Sequence, residues 1–290
     1  MSEANEDSAP KLPAVAWNPI SVLLLAHNDA EHAESVLEGW RKQLNKLQRA
    51  YEIIVVDDGS TDATAEIVSR VAESQQRVKL VRHERPQGDG ASLRTGLAAA
   101  QHPLAFYSTC DRQYQPADFH VLLAEIDKVH MVSGYRQWRA VPAPFRIFGR
   151  VWRTFVWLLF NVEIAPLPGW LGLKQHIYAK FMRVVFGLRL RDPRCMFRLF
   201  RRALFERIPI QSHGAFVHDE VLAKANFLGA WMSEVPVQYR PLVGNQAAVG
   251  KSVAGGGLGD FMQVFSHPDF GPTHLGQGSK WDTVLGEVGR

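Results

Sequence analysis

Ile53-Ile54-Val55-Val56-Asp57-Asp58-Gly59-Ser60-Thr61-Asp62 is an apolar run of strand length that ends in carboxylates, a glycine and hydroxyl residues. The pattern after it is helical, with Ala65, Val68 and Ala72 on one side and Glu66, Ser69 and Arg70 on the other. A buried parallel strand that empties into an acidic turn and then a helix puts polar groups at the carboxyl edge of a sheet. Open α/β folds bind ligands at that edge. Ionised carboxylates are rarely core residues without partners. A helix N-cap, Ser60 or Thr61 with Asp62 in the first turn, is the simpler use of such a turn. Capping needs one of these residues, and the turn has five.

The same grammar extends in both directions. Ile20 to Ala26 predicts a first strand, closed by His27-Asn28-Asp29, and Ala33 to Leu47 an amphipathic helix. Glu52 to Val56 is the second strand, Val78 to Arg82 the third and Leu104 to Ser108 the fourth. Between the last two, Gly88-Asp89-Gly90 opens a helix from Ala91 to Gln101. Met131 to Gly134 is a further strand. Later come a strand at Phe197 to Phe200, a helix at Asp219 to Leu228 and a strand near Trp231 to Val237. Regular alternation argues for parallel βαβ units.

The chain has 290 residues, enough for one large core, with 46% apolar residues and a formal net charge of +4. Arginines cluster at 136–153 and 183–207, where they seek phosphates. Two distant cysteines, Cys110 and Cys195, exclude a disulfide framework and point to a reducing compartment. The acidic start, Met1 to Asp7, is no signal peptide, and no apolar run reaches the ~18 residues of a membrane span. Residues 1–17 read as a disordered leader, 18–245 as the folded domain and 246–290 as a glycine-rich, mobile tail. Within the domain, 140–187 is rich in aromatic and basic residues. Helices at Phe145–Val162 and Leu173–Phe186 would form either a membrane-interface segment or an ordinary helical subdomain.

Several blocks in order resemble family 2 of the inverting glycosyltransferases, and within it the polyprenyl-phosphate sugar transferases of the dolichol-phosphate mannosyltransferase type. Leu25-Ala26-His27-Asn28-Asp29 stands where that family has Pro-Ala-Tyr-Asn-Glu. Asp57 and Asp58 match its acidic turn. Gly88-Asp89-Gly90-Ala91-Ser92-Leu93-Arg94-Thr95-Gly96 is similar to Gly-Lys-Gly-x-Ala-x-Arg-x-Gly, with Asp89 in place of a common lysine. Thr109-Cys110-Asp111-Arg112-Gln113 stands where the family has Asp-x-Asp-x-Gln, so the first acid is replaced by Thr109. Val132-Ser133-Gly134-Tyr135-Arg136 resembles Val-x-Gly-x-Arg, and Asp192 to Arg202 resembles Asp-x-x-Cys-Gly-Phe-Lys-x-Phe-Arg-Arg, with Met196 for the glycine.

The resemblance implies the GT-A fold, a Rossmann-like nucleotide-diphospho-sugar transferase with a mixed, mostly parallel sheet flanked by helices. It implies inverting transfer of a sugar from a GDP- or UDP-sugar to a polyprenyl phosphate. Donor contacts would come from Ala26, Asn28, Asp29, Asp57, Asp58, Gly88, Arg94, Cys110 and Asp111, with Asp58 meeting the base. A Mg2+ or Mn2+ ion would sit on Asp111 and Gln113. Thr109 would ligate weakly or hold a metal-bound water, or else metal binding is weakened. Arg136, Arg198 and Arg202 would hold the acceptor phosphate. Asp192 is a base candidate should the acceptor be an alcohol. The resemblance also implies a cytoplasmic enzyme peripheral on the inner face of a membrane. A same-fold transferase with a soluble acceptor and a degenerate nucleotide-sugar-binding protein are the alternatives. His213 and His218 lack a third metal ligand, and no nucleic-acid module is recognisable.

Overall fold

Consecutive residues of the first, second and fourth strands belong to opposite packing layers, which is why all three read as continuous apolar runs. Val22, Leu24, Ile53, Val55 and Phe106 enter one core, while Leu23, Leu25, Ile54, Val56 and Tyr107 enter the other. The computed structural model describes residues 12, 14–138, 178, 180–240 and 257–270. Its strands are β1 (Ile20–Ala26), β2 (Tyr51–Asp57), β3 (Val78–Arg82), β4 (Leu104–Thr109), β5 (Met131–Trp138), β6 (Arg198–Arg201) and β7 (Met232–Tyr239). They form one sheet in the order β3-β2-β1-β4-β6-β5-β7. Only β6 runs antiparallel, against β4 on one side and β5 on the other.

The helices are α1 (Ala33–Lys46), α2 (Thr64–Ser74), α3 (Asp89–Ala99), α4 (Phe119–Leu123), α5 (Val217–Phe227) and α6 (Gly257–Ser266), with a further turn at Leu204–Arg207. The core under α1 is anchored by Trp40, 2% exposed, whose ring meets Phe106 at 4.8 Å and Phe119 at 5.6 Å. The opposite core lies under α3 and α5 and includes Leu93, Val217, Val221 and Leu222. Here the sheet is mixed, mostly parallel and flanked by helices on both faces, as expected.

Two boundaries differ from the sequence reading. Val15 and Ala16 donate their backbone N–H groups to Asp127 Oδ1, at 2.5 and 2.7 Å, so the end of the expected leader is tied to the domain. The expected mobile tail contains α6, where Asp260 Oδ2 accepts from Gly214 N at 2.8 Å and Phe261 packs on Phe181, Phe186 and Phe216. Glycine spacing hid an aromatic helix face that only a partner surface makes stable. The helix expected at Phe145–Val162 lies outside the described residues, as do residues 173–177 and 179 of the one at Leu173–Phe186; its remaining residues, 178 and 180–186, are helical.

Candidate active site

The parallel register brings the carboxyl ends of β1, β2 and β4 together, since Ala26 pairs with Asp57 and Leu25 with Thr109. The turns after these strands meet there around a pocket lined by Ala26, His27, Asp29, Asp58, Thr109 and Asp111, with Pro86, Asp89, Ser92, Gln113 and Met196 also on the wall.

Two carboxylates in this pocket have spare capacity. Asp111 Oδ1 accepts from the Thr109 hydroxyl at 2.7 Å and from Gln113 N at 2.9 Å, and Oδ2 has no donor among the described residues. Asp29 Oδ2 accepts from His27 N at 3.1 Å, and Oδ1 is likewise without a donor. Burial first, and then the charge of Asp111, push the Asp29 carboxyl up to about 7. Burial also raises Asp111, against the opposing Thr109 bond. Thr109 therefore orients Asp111, a role that its expected place as a weak ligand did not anticipate.

Other site candidates are occupied by the protein itself. Asp58 accepts from His83 Nδ1 and Gln87 N through Oδ1 and from Gly88 N through Oδ2, each at 2.8 Å. It lines the pocket and at the same time braces the loop at 86–88. Asp57 is fully buried; its Oδ1 holds Ser60, and Arg82 Nε lies 3.2 Å from Oδ2. Asn28, at a left-handed φ of 56°, joins the first two turns by accepting from Thr61 N at 2.9 Å. Cys110 is buried with its thiol raised, burial being the main cause, and takes no place on the pocket wall. The glycine loop is explained locally. Gly88 has φ 95°, and a Cβ on Gly90 would stand 2.1 Å from Ser212 O. Arg94 reaches away from the pocket to Ser212 O at 2.6 Å and Ile210 O at 3.2 Å, so it fastens the 210–213 loop.

The arginines expected on the acceptor are spent in the same way. Arg198 is fully buried and donates to Ser133 Oγ, the Tyr107 hydroxyl and the carbonyls of His218 and Pro193. Arg136 grips Asp192 through Nε at 2.7 Å and Nη2 at 2.8 Å, with Asp192 fully buried. Asp192 is thereby corrected from base candidate to structural anion. Arg202 donates to His102 O at 2.8 Å, beside the start of β4 and so at the opposite edge of the sheet. Sequence reasoning missed His83, which links Asp58 to Thr95 Oγ1 at 2.9 Å. Its signal was its place, directly after the end of β3. Among the described residues no cluster of three or more His, Cys, Asp or Glu is arranged to hold a metal.

Such an acidic pocket at the carboxyl edge of a doubly flanked, mostly parallel sheet lies where open α/β proteins bind their ligands. A family model described as glycosyl transferase family 2 matches residues 21–209, and the chain belongs to that family of glycosyltransferases. Glycosyltransferase AglD of Haloferax volcanii is 26% identical over 236 residues, covering 80% of this chain and 35% of that protein. A dolichyl-phosphate beta-glucosyltransferase of Trichomonas vaginalis is 24% identical over 238 residues, covering 79% of this chain and 68% of that protein. Glucosyl-3-phosphoglycerate synthase from Mycobacterium tuberculosis, solved with Mn2+, UDP and glucosyl-3-phosphoglycerate, superposes with a TM-score of 0.56 at 18% identity, covering 88% of this chain and 83% of that one. The fold is that of these GT-A enzymes. Among the described residues, no helix is long and apolar enough to cross a membrane.

Proposed function

We propose that this chain moves a hexose from a nucleotide diphosphate sugar to a polyprenyl phosphate, with inversion at the anomeric carbon. The observation that carries the reading is the pocket, where Asp29 and Asp111 each present one oxygen without a protein donor. Its dolichyl-phosphate relative supports the lipid acceptor.

The donor set fits a divalent cation. Hard carboxylate oxygens suit Mg2+ or Mn2+, and such ions are often bound by one or two carboxylates plus substrate phosphates and water. The GT-A neighbour was solved with Mn2+ and also with Mg2+, in both cases with UDP. Asp111 would hold the ion through Oδ2, with Thr109 and Gln113 N fixing the carboxylate from the other side. When bound, the ion would offset the charge of the departing nucleotide. His27 donates Nδ1–H to Asp58 O at 2.8 Å and fixes the wall beside Asp29.

An acceptor phosphate oxygen forms the new bond to the anomeric carbon while the bond to the diphosphate breaks and the nucleotide leaves with its electron pair. A phosphate is already anionic at neutral pH, so positioning matters more than a base. The sequestration of Asp192 by Arg136 agrees with such an acceptor. The test is to incubate the protein with UDP- and GDP-hexoses, Mn2+ and undecaprenyl or dolichyl phosphate in detergent, then extract the lipid and read the anomeric configuration by NMR. A lipid-linked sugar of inverted configuration is expected. Transfer to water or to a soluble phosphate ester alone would overturn the acceptor.

A further inference from the structure

The expected phosphate-binding arginines are buried, paired or remote, which leaves open what recognises the acceptor. Arg194 is exposed and stands two residues before Met196, which lines the pocket. Because β6 runs antiparallel to β4, with Arg198 opposite Tyr107, the residues just before β6 lie at the carboxyl edge of the sheet. The Arg194 guanidinium carbon sits 5.1 Å from the centroid of the Tyr178 ring, over its face, and the guanidinium makes no hydrogen bond among the described residues. A stacked guanidinium keeps its N–H groups in plane and free for a forked contact with an oxyanion. Arg112, also exposed, has no such support.

The stack is anchored from below. The Tyr178 hydroxyl donates to Asp219 Oδ2, and Asp219 is 2% exposed with Oδ1 lacking any hydrogen-bond partner. The neighbouring residue, His218, connects this corner to the pocket through Nε2 and Asp89 Oδ2 at 3.3 Å. Burial, more than any neighbour, raises the Asp219 carboxyl, while the charge of Arg194 works the other way.

Resting on the transferase reading, we propose that Arg194, held by Tyr178 on Asp219, is the residue that binds the acceptor's phosphomonoester. Lipid phosphates and soluble phosphate esters share this chemistry, so the probes must separate them. The experiment is calorimetric titration of the full chain, with UDP and Mn2+ present, using decyl phosphate in one arm and 3-phosphoglycerate in the other. Variants Arg194→Gln, Arg194→Lys and Tyr178→Phe are compared with the wild type, and UDP affinity and melting temperature are recorded for each.

A charged hydrogen bond of this kind is worth roughly a tenfold to hundredfold change in affinity. Arg194→Gln is expected to weaken phosphomonoester binding by at least about tenfold at unchanged UDP affinity and melting temperature, with Arg194→Lys intermediate because it keeps charge without the fork. Wild-type affinity should also rise between pH 5 and 7.5, as the ester takes its second charge near about pH 6, and Arg194→Gln should flatten that rise. Tighter binding of decyl phosphate favours a lipid source; equal binding favours a headgroup-only site. No binding of either probe to the wild type, or equal binding by Arg194→Gln, overturns the proposal. If binding behaves as expected but no sugar reaches polyprenyl phosphate, the phosphate site stands and the lipid-transferase reading fails.

Discussion

Beyond the ends of β1 and β4, charged side chains have unused capacity; along β5 and β6 the protein itself takes up most of it. Asp29 and Asp111 each hold one oxygen open to the pocket. Some residues away, Arg198 spends its guanidinium on four protein acceptors, and Arg136 and Asp192 close on one another. Both regions carry charges at the carboxyl edge, and both fall in blocks that resemble the same family. What separates them is valence. A side chain that the fold has already satisfied holds the fold, while one with a vacancy beside a pocket is available to a ligand.

The hardest blow to that distinction would come from Arg198. Replacing it with Ala leaves buried carbonyls and hydroxyls without donors and a cavity between β4, β5 and α5, and should cost about 3–5 kcal/mol in denaturant unfolding. A folded Arg198→Ala protein that lost only acceptor affinity would erase the contrast. On the other side, Asp111→Asn should lower turnover by about 10²–10³-fold, while the melting temperature of the metal-free protein holds or rises, because a like charge leaves the neighbourhood of Asp29. Steady-state kinetics with Mn2+, beside a thermal melt, checks both halves.

Asp192→Asn should behave as a stability variant, losing about 3 kcal/mol because Arg136 would remain largely buried without its counter-charge. A large loss of turnover at wild-type stability would restore Asp192 as a catalytic base. The smallest effect concerns pH. Asp29 has a folded value of about 7, against an ordinary 3.8. A raised acid favours the folded state below its unfolded value, and that contribution is lost as pH rises through about 7. Metal-free protein should therefore melt at lower temperature as pH increases from 5 to 8, and Asp111→Asn should blunt the decline. Mn2+ with UDP should bind more tightly over the same interval, measurable by calorimetry.

Much of the fold was legible in order along the chain. The apolar runs at 20–26, 53–56 and 104–108 are buried on both faces, so their composition alone marks parallel strands. The acidic turn after β2 and Asp111 after β4 were legible too, because carboxylates directly after buried strands stand at the carboxyl edge, whether they hold the turn, as Asp57 does, or face the pocket, as Asp111 does. The short β6 gave its place but not its antiparallel direction, since a four-residue strand, two apolar residues between two arginines, reads the same both ways. Helix α6 was hidden among glycines because its aromatic face gains its meaning from Phe181, Phe186 and Phe216, residues distant in sequence.

Sequence by itself determined the family, the sheet edge that carries chemistry and the residue types gathered there. Local patterning suffices for these, because strand burial and turn chemistry are encoded over a few residues. Only the tertiary structure decided which charges are free. Arg136, Arg198, Arg202 and Asp192 look alike as a string of ionisable residues, and their roles diverge because each meets partners dozens of residues away: Asp192 for Arg136, Tyr107 and Ser133 for Arg198, His102 for Arg202. Hydrogen-bond capacity is consumed in space, so a residue's availability belongs to the packed chain.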